Sequence, residues 1–152
     1  MSEQAKPGAT LRRLSYKKPA YEGERAIVLL GGTDIERAAV QLIKAGARQG
    51  LHAHANYDGL YLVLEGRVRF WGSDGLFAEI GPKEAVLVPR GVAYGFAAVE
   101  GEAEMLHVSA VDLQTTPGFT AYEPGADAVT YQFFDPSGAP VSLASRNDAP
   151  QR

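Results

Sequence analysis

Apolar residues along this chain fall in short runs cut by glycine and proline. Residues 26–30 (AIVLL) stop at Gly31-Gly32, and residues 60–64 (LYLVL) stop at Glu65-Gly66. Residues 67–71 (RVRFW) alternate charge and bulk, the pattern of a half-buried strand. The tetrapeptide GSDG at 72–75 is a hairpin signal. Further β-prone runs occupy 76–80, 85–88, 93–97 and 103–108, each set off by Gly, Pro or a charged turn. Residues 11–16 predict a short early strand and residues 130–134 (TYQFF) a late one. Many short strands at this spacing predict an all-β sandwich or barrel. Residues 1–10 and those from about 140 onward are polar and small, and read as loosely held ends. No internal repeat is visible, so a single barrel is expected.

One segment carries two patterns. TDIERAAVQLIKAG has Thr33 and Glu36 at capping-box spacing and Gly46 where a helix would stop. The same residues alternate as a strand does, with Ala38, Val40, Leu42 and Lys44 on one parity and Ala39, Gln41, Ile43 and Ala45 on the other. We assign a strand to 37–45, on the strength of the motif described below.

Composition narrows the chemistry. The length of 152 residues suits one domain able to bury its own core. There is no cysteine, which excludes disulfides, thiolate zinc sites and a cysteine nucleophile; any metal must be held by nitrogen and oxygen. A net charge of −3 and the absence of basic runs leave no nucleic-acid footprint. No apolar stretch is long enough for a membrane span and no signal-like apolar segment opens the chain, so no membrane partner is expected and cytoplasm is the default location. A phosphate loop and a G-x-S-x-G nucleophile elbow are both missing.

Three histidines remain. On a strand, His52 and His54 project from the same face, as two ligands of one metal must. Alone, such a pair is more commonly a surface or hydrogen-bonded pair. Its surroundings change the reading. Gly46, five residues, His52, one residue, His54, and the run LVLEG ending at Gly66 resemble the first motif of the cupin superfamily. Gly81 followed by VLVPRGVAYGF resembles the second, with Pro89, Gly91 and then Tyr94. The motifs span about residues 46–97, and flanking strands extend the likeness to roughly 25–112.

This resemblance implies an all-β fold, the double-stranded β-helix or cupin jelly-roll barrel of RmlC-like proteins, in a single domain. It divides the chain into an N-terminal arm (1–24) available for strand exchange, the cupin barrel (25–112), and a partly disordered C-terminal extension (113–152). It also implies a homodimer. His52 and His54 match the first two family metal ligands. The third, a glutamate, falls at Gly59, with Asp58 beside it but one residue off in direction. The fourth, a histidine, falls at Tyr94, and the family asparagine at Ala98.

Two functions stay open. In one, His52 and His54, helped by Asp58, Tyr94 or His107, hold a divalent transition metal (Zn, Fe, Ni, Cu or Mn) for an enzyme acting on a small organic molecule, of dioxygenase, isomerase, cyclase or lyase type. Tyr94 then serves as ligand or as catalytic proton donor. In the other, the metal site is degenerate and the barrel binds a small ligand without catalysis. By strand parity Tyr61 and Val63 share the face of position 59, and Phe96 that of Tyr94, which makes them the expected pocket lining. The rings of Tyr57, Phe70 and Trp71 read as core or interface, and His107 shares a face with Ala103 and Met105.

Overall fold

The computed structural model describes residues 8–128 and 131–142. The expectations for residues 1–7, for Thr130 and for the tail beyond 142 lie outside the described residues. Among the described residues nine strands form one continuous sheet system: β1 (Arg25–Gly32), β2 (Glu36–Ile43), β3 (Arg48–His54), β4 (Tyr57–Gly72), β5 (Gly75–Ile80), β6 (Ala85–Val88), β7 (Tyr94–Val111), β8 (Phe119–Ala121) and β9 (Tyr131–Phe134). The hydrogen-bonded path runs β5-β4-β7-β2-β1-β9, with β3 between β7 and β8, and β6 along β4. This is an all-β jelly roll.

The segment with two patterns is strand β2, paired antiparallel with β1 on one side and β7 on the other. Its helix-start signal is used, but locally: Thr33 Oγ1 accepts from the Glu36 backbone N–H at 3.1 Å and so stabilises the β1–β2 turn. Two other expectations are corrected. Residues 11–16 form no strand; they meet the barrel through side chains, Arg12 donating to the Gly32 carbonyl at 2.6 Å and Tyr16 packing on β1 and β2. The runs 93–97 and 103–108 are not separate strands but halves of the 18-residue β7.

The long strands explain how the barrel closes. The half of β4 before Gly66 pairs with the later half of β7, and its other half pairs with the earlier half of β7. The bend falls at Gly66, whose φ of 81° suits glycine. A Cβ there would also sit 2.3 Å from the Glu102 carbonyl oxygen. Alternation then directs Tyr61, Val63, Val68 and Phe70 from β4 and Tyr94, Phe96, Ala98 and Met105 from β7 into one buried cluster.

β1 and β2 are buried on both faces. Outward, Ala26, Val28, Val40 and Leu42 are covered by Phe134, Tyr16 and Tyr21. Inward, Arg25, Ile27 and Gln41 face the barrel mouth. The C-terminal extension is thus part of the fold: β8 pairs with β3, and β9 runs parallel to β1.

Candidate functional site

The mouth is built around β3. Strand parity puts His52 and His54 on its inward face, both buried, with ring centroids 5.0 Å apart and planes nearly perpendicular. In the ladders His52 pairs with Tyr94 on one side and with Ala121 on the other, and His54 with Phe119. The Tyr94 ring therefore lies 4.3 Å from His52, while Phe119 stacks on His52 at 5.2 Å and meets His54 edge-on at 5.3 Å. Tyr57 closes the far side of His54 at 4.6 Å. Together they enclose a cavity of about 110 Å³.

The protonation of His52 follows from one contact. Its Nδ1 lies 2.7 Å from the Gly50 carbonyl oxygen, which can only accept. Nδ1 carries the hydrogen, and Nε2 of the neutral ring keeps its lone pair. Burial lowers the pKa to about 4, the Gly50 bond opposes that shift, and the nearby Arg25 charge adds to it. At neutral pH His52 is an uncharged acceptor. Opposite it, the Tyr61 and Tyr94 hydroxyls are 2.5 Å apart and share a hydrogen bond within the wall.

The other residues singled out from the sequence take different places. Tyr61 and Phe96 line the cavity, and Val63 lies deeper in the core. Asp58 points to the opposite face of β4, as its parity requires. Its carboxylate accepts from the Arg90 backbone N–H at 2.8 Å and faces Arg90 Nε at 3.4 Å, where it braces the turn after β6. His107 sits behind Tyr61, stacked on it at 4.1 Å, with Nε2 3.3 Å from Ser109 Oγ. Gly59 makes room for it: a Cβ at that position would stand 3.2 Å from His107 Nε2. The volume that a glutamate at 59 would enter is thus partly taken by an imidazole on the neighbouring strand. The structure brings His52, His54 and Tyr94 together, and keeps Asp58 and His107 away from the cavity wall.

Among the described residues no three His, Asp or Glu side chains converge as a metal site would need. Two imidazoles and a phenol match an open catalytic site in number only, since the Tyr94 hydroxyl is engaged by Tyr61 and no carboxylate joins them, and the buried charge of Arg25 beside them opposes a bound cation.

Arg25 is the residue the motifs did not reveal. It is only 2% exposed and lines the same cavity. One guanidinium nitrogen donates to Gln49 Oε1 at 2.5 Å, and Gln49 Nε2 in turn donates to the Ala126 carbonyl at 2.5 Å. The guanidinium lies over the Tyr131 and Phe96 rings at 4.9 and 5.5 Å. Burial pulls its pKa down, while nearby tyrosines and Glu24 push it up; a guanidinium stays charged regardless. A sequence signal existed. Residues 26–30 are apolar on both parities, so both faces of β1 had to be buried, and the charge at the head of that run had no face on which to reach water.

The segment 119–128, which caps the mouth, is clamped by Glu123. It accepts from Trp71 Nε1 at 2.9 Å and from Arg48 at 2.7 Å, and Arg48 lies over the Trp71 ring.

Comparison with known proteins agrees with this geometry. The family model described as Cupin domain matches residues 39–110. A cupin superfamily protein from Desulfitobacterium hafniense DCB-2 superposes with a TM-score of 0.56 at 21% identity, over 68% of this chain and 100% of that one. A Klebsiella pneumoniae protein with a double-stranded β-helix domain gives 0.60 at 17% identity, over 71% and 91%. The DMSP lyase DddQ from Ruegeria pomeroyi DSS-3 gives 0.54 at 23% identity, over 70% and 58%. At these identities the likeness is one of fold. No curated protein matches.

Proposed function

We propose that this chain, whose residues 39–110 match the Cupin domain model, binds a small organic molecule in the mouth cavity, recognised by imidazole, phenol and guanidinium groups rather than by a resident metal ion. One observation carries the reading: a cavity of about 110 Å³ on which His52, His54, Tyr61 and Tyr94 converge, while among the described residues no three His, Asp or Glu side chains are grouped to hold a metal ion. Rings line this site together with the polar ends of Arg25, Gln41, Gln49 and the two histidines, a mixture that suits a small polar molecule. His52 Nε2 accepts a hydrogen bond from a ligand hydroxyl. Of the paired phenols one donates to the other, and the accepting phenol donates its own hydrogen to a ligand oxygen, a donation that the mutual bond strengthens by polarisation.

A second reading, a metal-dependent enzyme, is favoured by the Nδ1–H bond from His52 to Gly50, because this is how proteins orient metal-bound imidazoles. There His52 and His54 would hold a divalent transition metal with Tyr94 as oxygen donor, and the metal would supply Lewis-acid chemistry. A lyase is among the fold neighbours.

The test is fragment binding followed by ligand-observed NMR on the full chain, with and without chelator, and on Tyr94→Phe. Binding that survives the chelator and weakens in the variant supports the proposal. Binding that vanishes with the chelator overturns it in favour of the metal reading.

A further inference from the structure

Within that small-molecule reading, on which this inference rests, the cavity also specifies its ligand class. Burying a cation is costly unless an anion or several hydrogen bonds compensate it. Arg25 is buried, and no Asp or Glu among the described residues forms an ion pair with it. Asp127 lines the same cavity but is exposed and stands outside ion-pair distance. The neutral partners of Arg25 are Gln49 and two ring faces, and its Nε–H has no partner.

A second buried polar atom in the same wall points the same way. Gln41 is 3% exposed, lines the cavity, and its Oε1 has no hydrogen-bond partner. The β1–β2 register pairs Ile27 with Gln41 and Arg25 with Ile43, so Arg25 and Gln41 are diagonal neighbours on the inward face. One strand pair therefore presents a fixed donor with a full positive charge next to a fixed acceptor. Gln49, held by the Ala126 carbonyl, locks the guanidinium in that pose.

We propose that the ligand of this cavity is a short-chain organic carboxylate whose anionic end is held by Arg25 and which carries a hydroxyl or amine donor for Gln41. The remainder of the molecule reaches toward His52 and Tyr94. Size agrees: a cavity near 150 Å³ holds benzene, so about 110 Å³ suits a molecule of roughly four to six heavy atoms.

The experiment titrates the full chain, in a non-carboxylate buffer at low salt, with acetate, glycolate and lactate, and with the uncharged amide of each. It is repeated on Arg25→Met and Arg25→Lys. Arg25→Met removes a buried charge and is expected to fold at least as stably as the wild type, with Trp71 emission as the check on folding; Arg25→Lys keeps the charge without the planar fork. The proposal expects each carboxylate to bind at least tenfold more tightly than its amide, hydroxy acids more tightly than acetate, and the carboxylate preference to disappear in Arg25→Met and shrink in Arg25→Lys. Amides that match their acids, or a preference that survives Arg25→Met, would overturn the anion anchor. Amides or other neutral fragments that still bind in a Tyr94-dependent way would leave the small-molecule reading standing. Silence from every probe, neutral fragments included, would overturn both.

Discussion

The depressed pKa of His52 makes a prediction about stability in mild acid. In the folded protein this ring titrates near 4, against an ordinary value of 6.5. The unfolded chain therefore binds a proton that the native state refuses throughout the window between those values, and stability must fall as pH drops through it. The whole displacement from 6.5 to about 4 is worth about 3.4 kcal/mol. Between pH 7 and pH 5 the expected loss from this one residue is about 2 kcal/mol, a large share of a typical domain's stability. Other groups titrate too, so the quantity to measure is a difference. Denaturant unfolding at pH 7.0, 6.0 and 5.0 is compared between the wild type and His52→Asn, whose amide can replace the Nδ1–H bond to Gly50 but cannot take up a proton. The wild type should lose about 2 kcal/mol more than the variant between pH 7 and pH 5. Parallel losses would mean that His52 is hydrated or charge-paired in solution, and the description of a buried, uncharged His52 would be wrong.

Three further outcomes follow from packing. A Cβ on Gly95 would fall 2.4 Å from the Trp71 ring, so Gly95→Ala should displace the only tryptophan, red-shift its emission and cost about 1–3 kcal/mol. Gly66→Ala meets both a positive φ and a carbonyl oxygen at 2.3 Å, and should lower the melting temperature by more than Gly95→Ala does, with scanning calorimetry as the check. Asp58→Ala should cost about 1 kcal/mol in denaturant unfolding through the lost brace on Arg90, yet leave ligand affinity and metal content at wild-type levels, because its carboxylate faces away from the mouth.

The sequence revealed the site unevenly, and the reasons are physical. Parity on a strand is rigid, so the shared face of His52 and His54 could be read from spacing alone, and the inward direction of Tyr61 and Phe96 from spacing together with the cupin resemblance. Parity also showed that Asp58 points the wrong way. The β2 segment shows how a local signal can be real and still misdirect: Thr33 does cap the Glu36 N–H, but it caps a hairpin. The rest depends on contacts between residues far apart in the chain. The position of His107 behind Tyr61 is set by the β4–β7 register, and the seat of Phe119 over the histidines by the β3–β8 register. Arg25 and Gln41 carried a signal of another kind. Arg25 heads and Gln41 interrupts a run that is apolar on both parities, and a polar residue so placed is drawn toward a partner inside the protein.

Metal content tests the central claim most directly. Elemental analysis is run on untagged protein, so that no affinity tag contributes histidines, for the wild type and for His52→Ala/His54→Ala. It is repeated after incubation with Zn, Mn, Fe, Ni and Cu in turn. A site that works through imidazole, phenol and guanidinium predicts metal well below one equivalent in both proteins, with no stoichiometric uptake on incubation. Close to one equivalent in the wild type, lost in the double variant, would contradict the account and make the metal-dependent enzyme the correct reading.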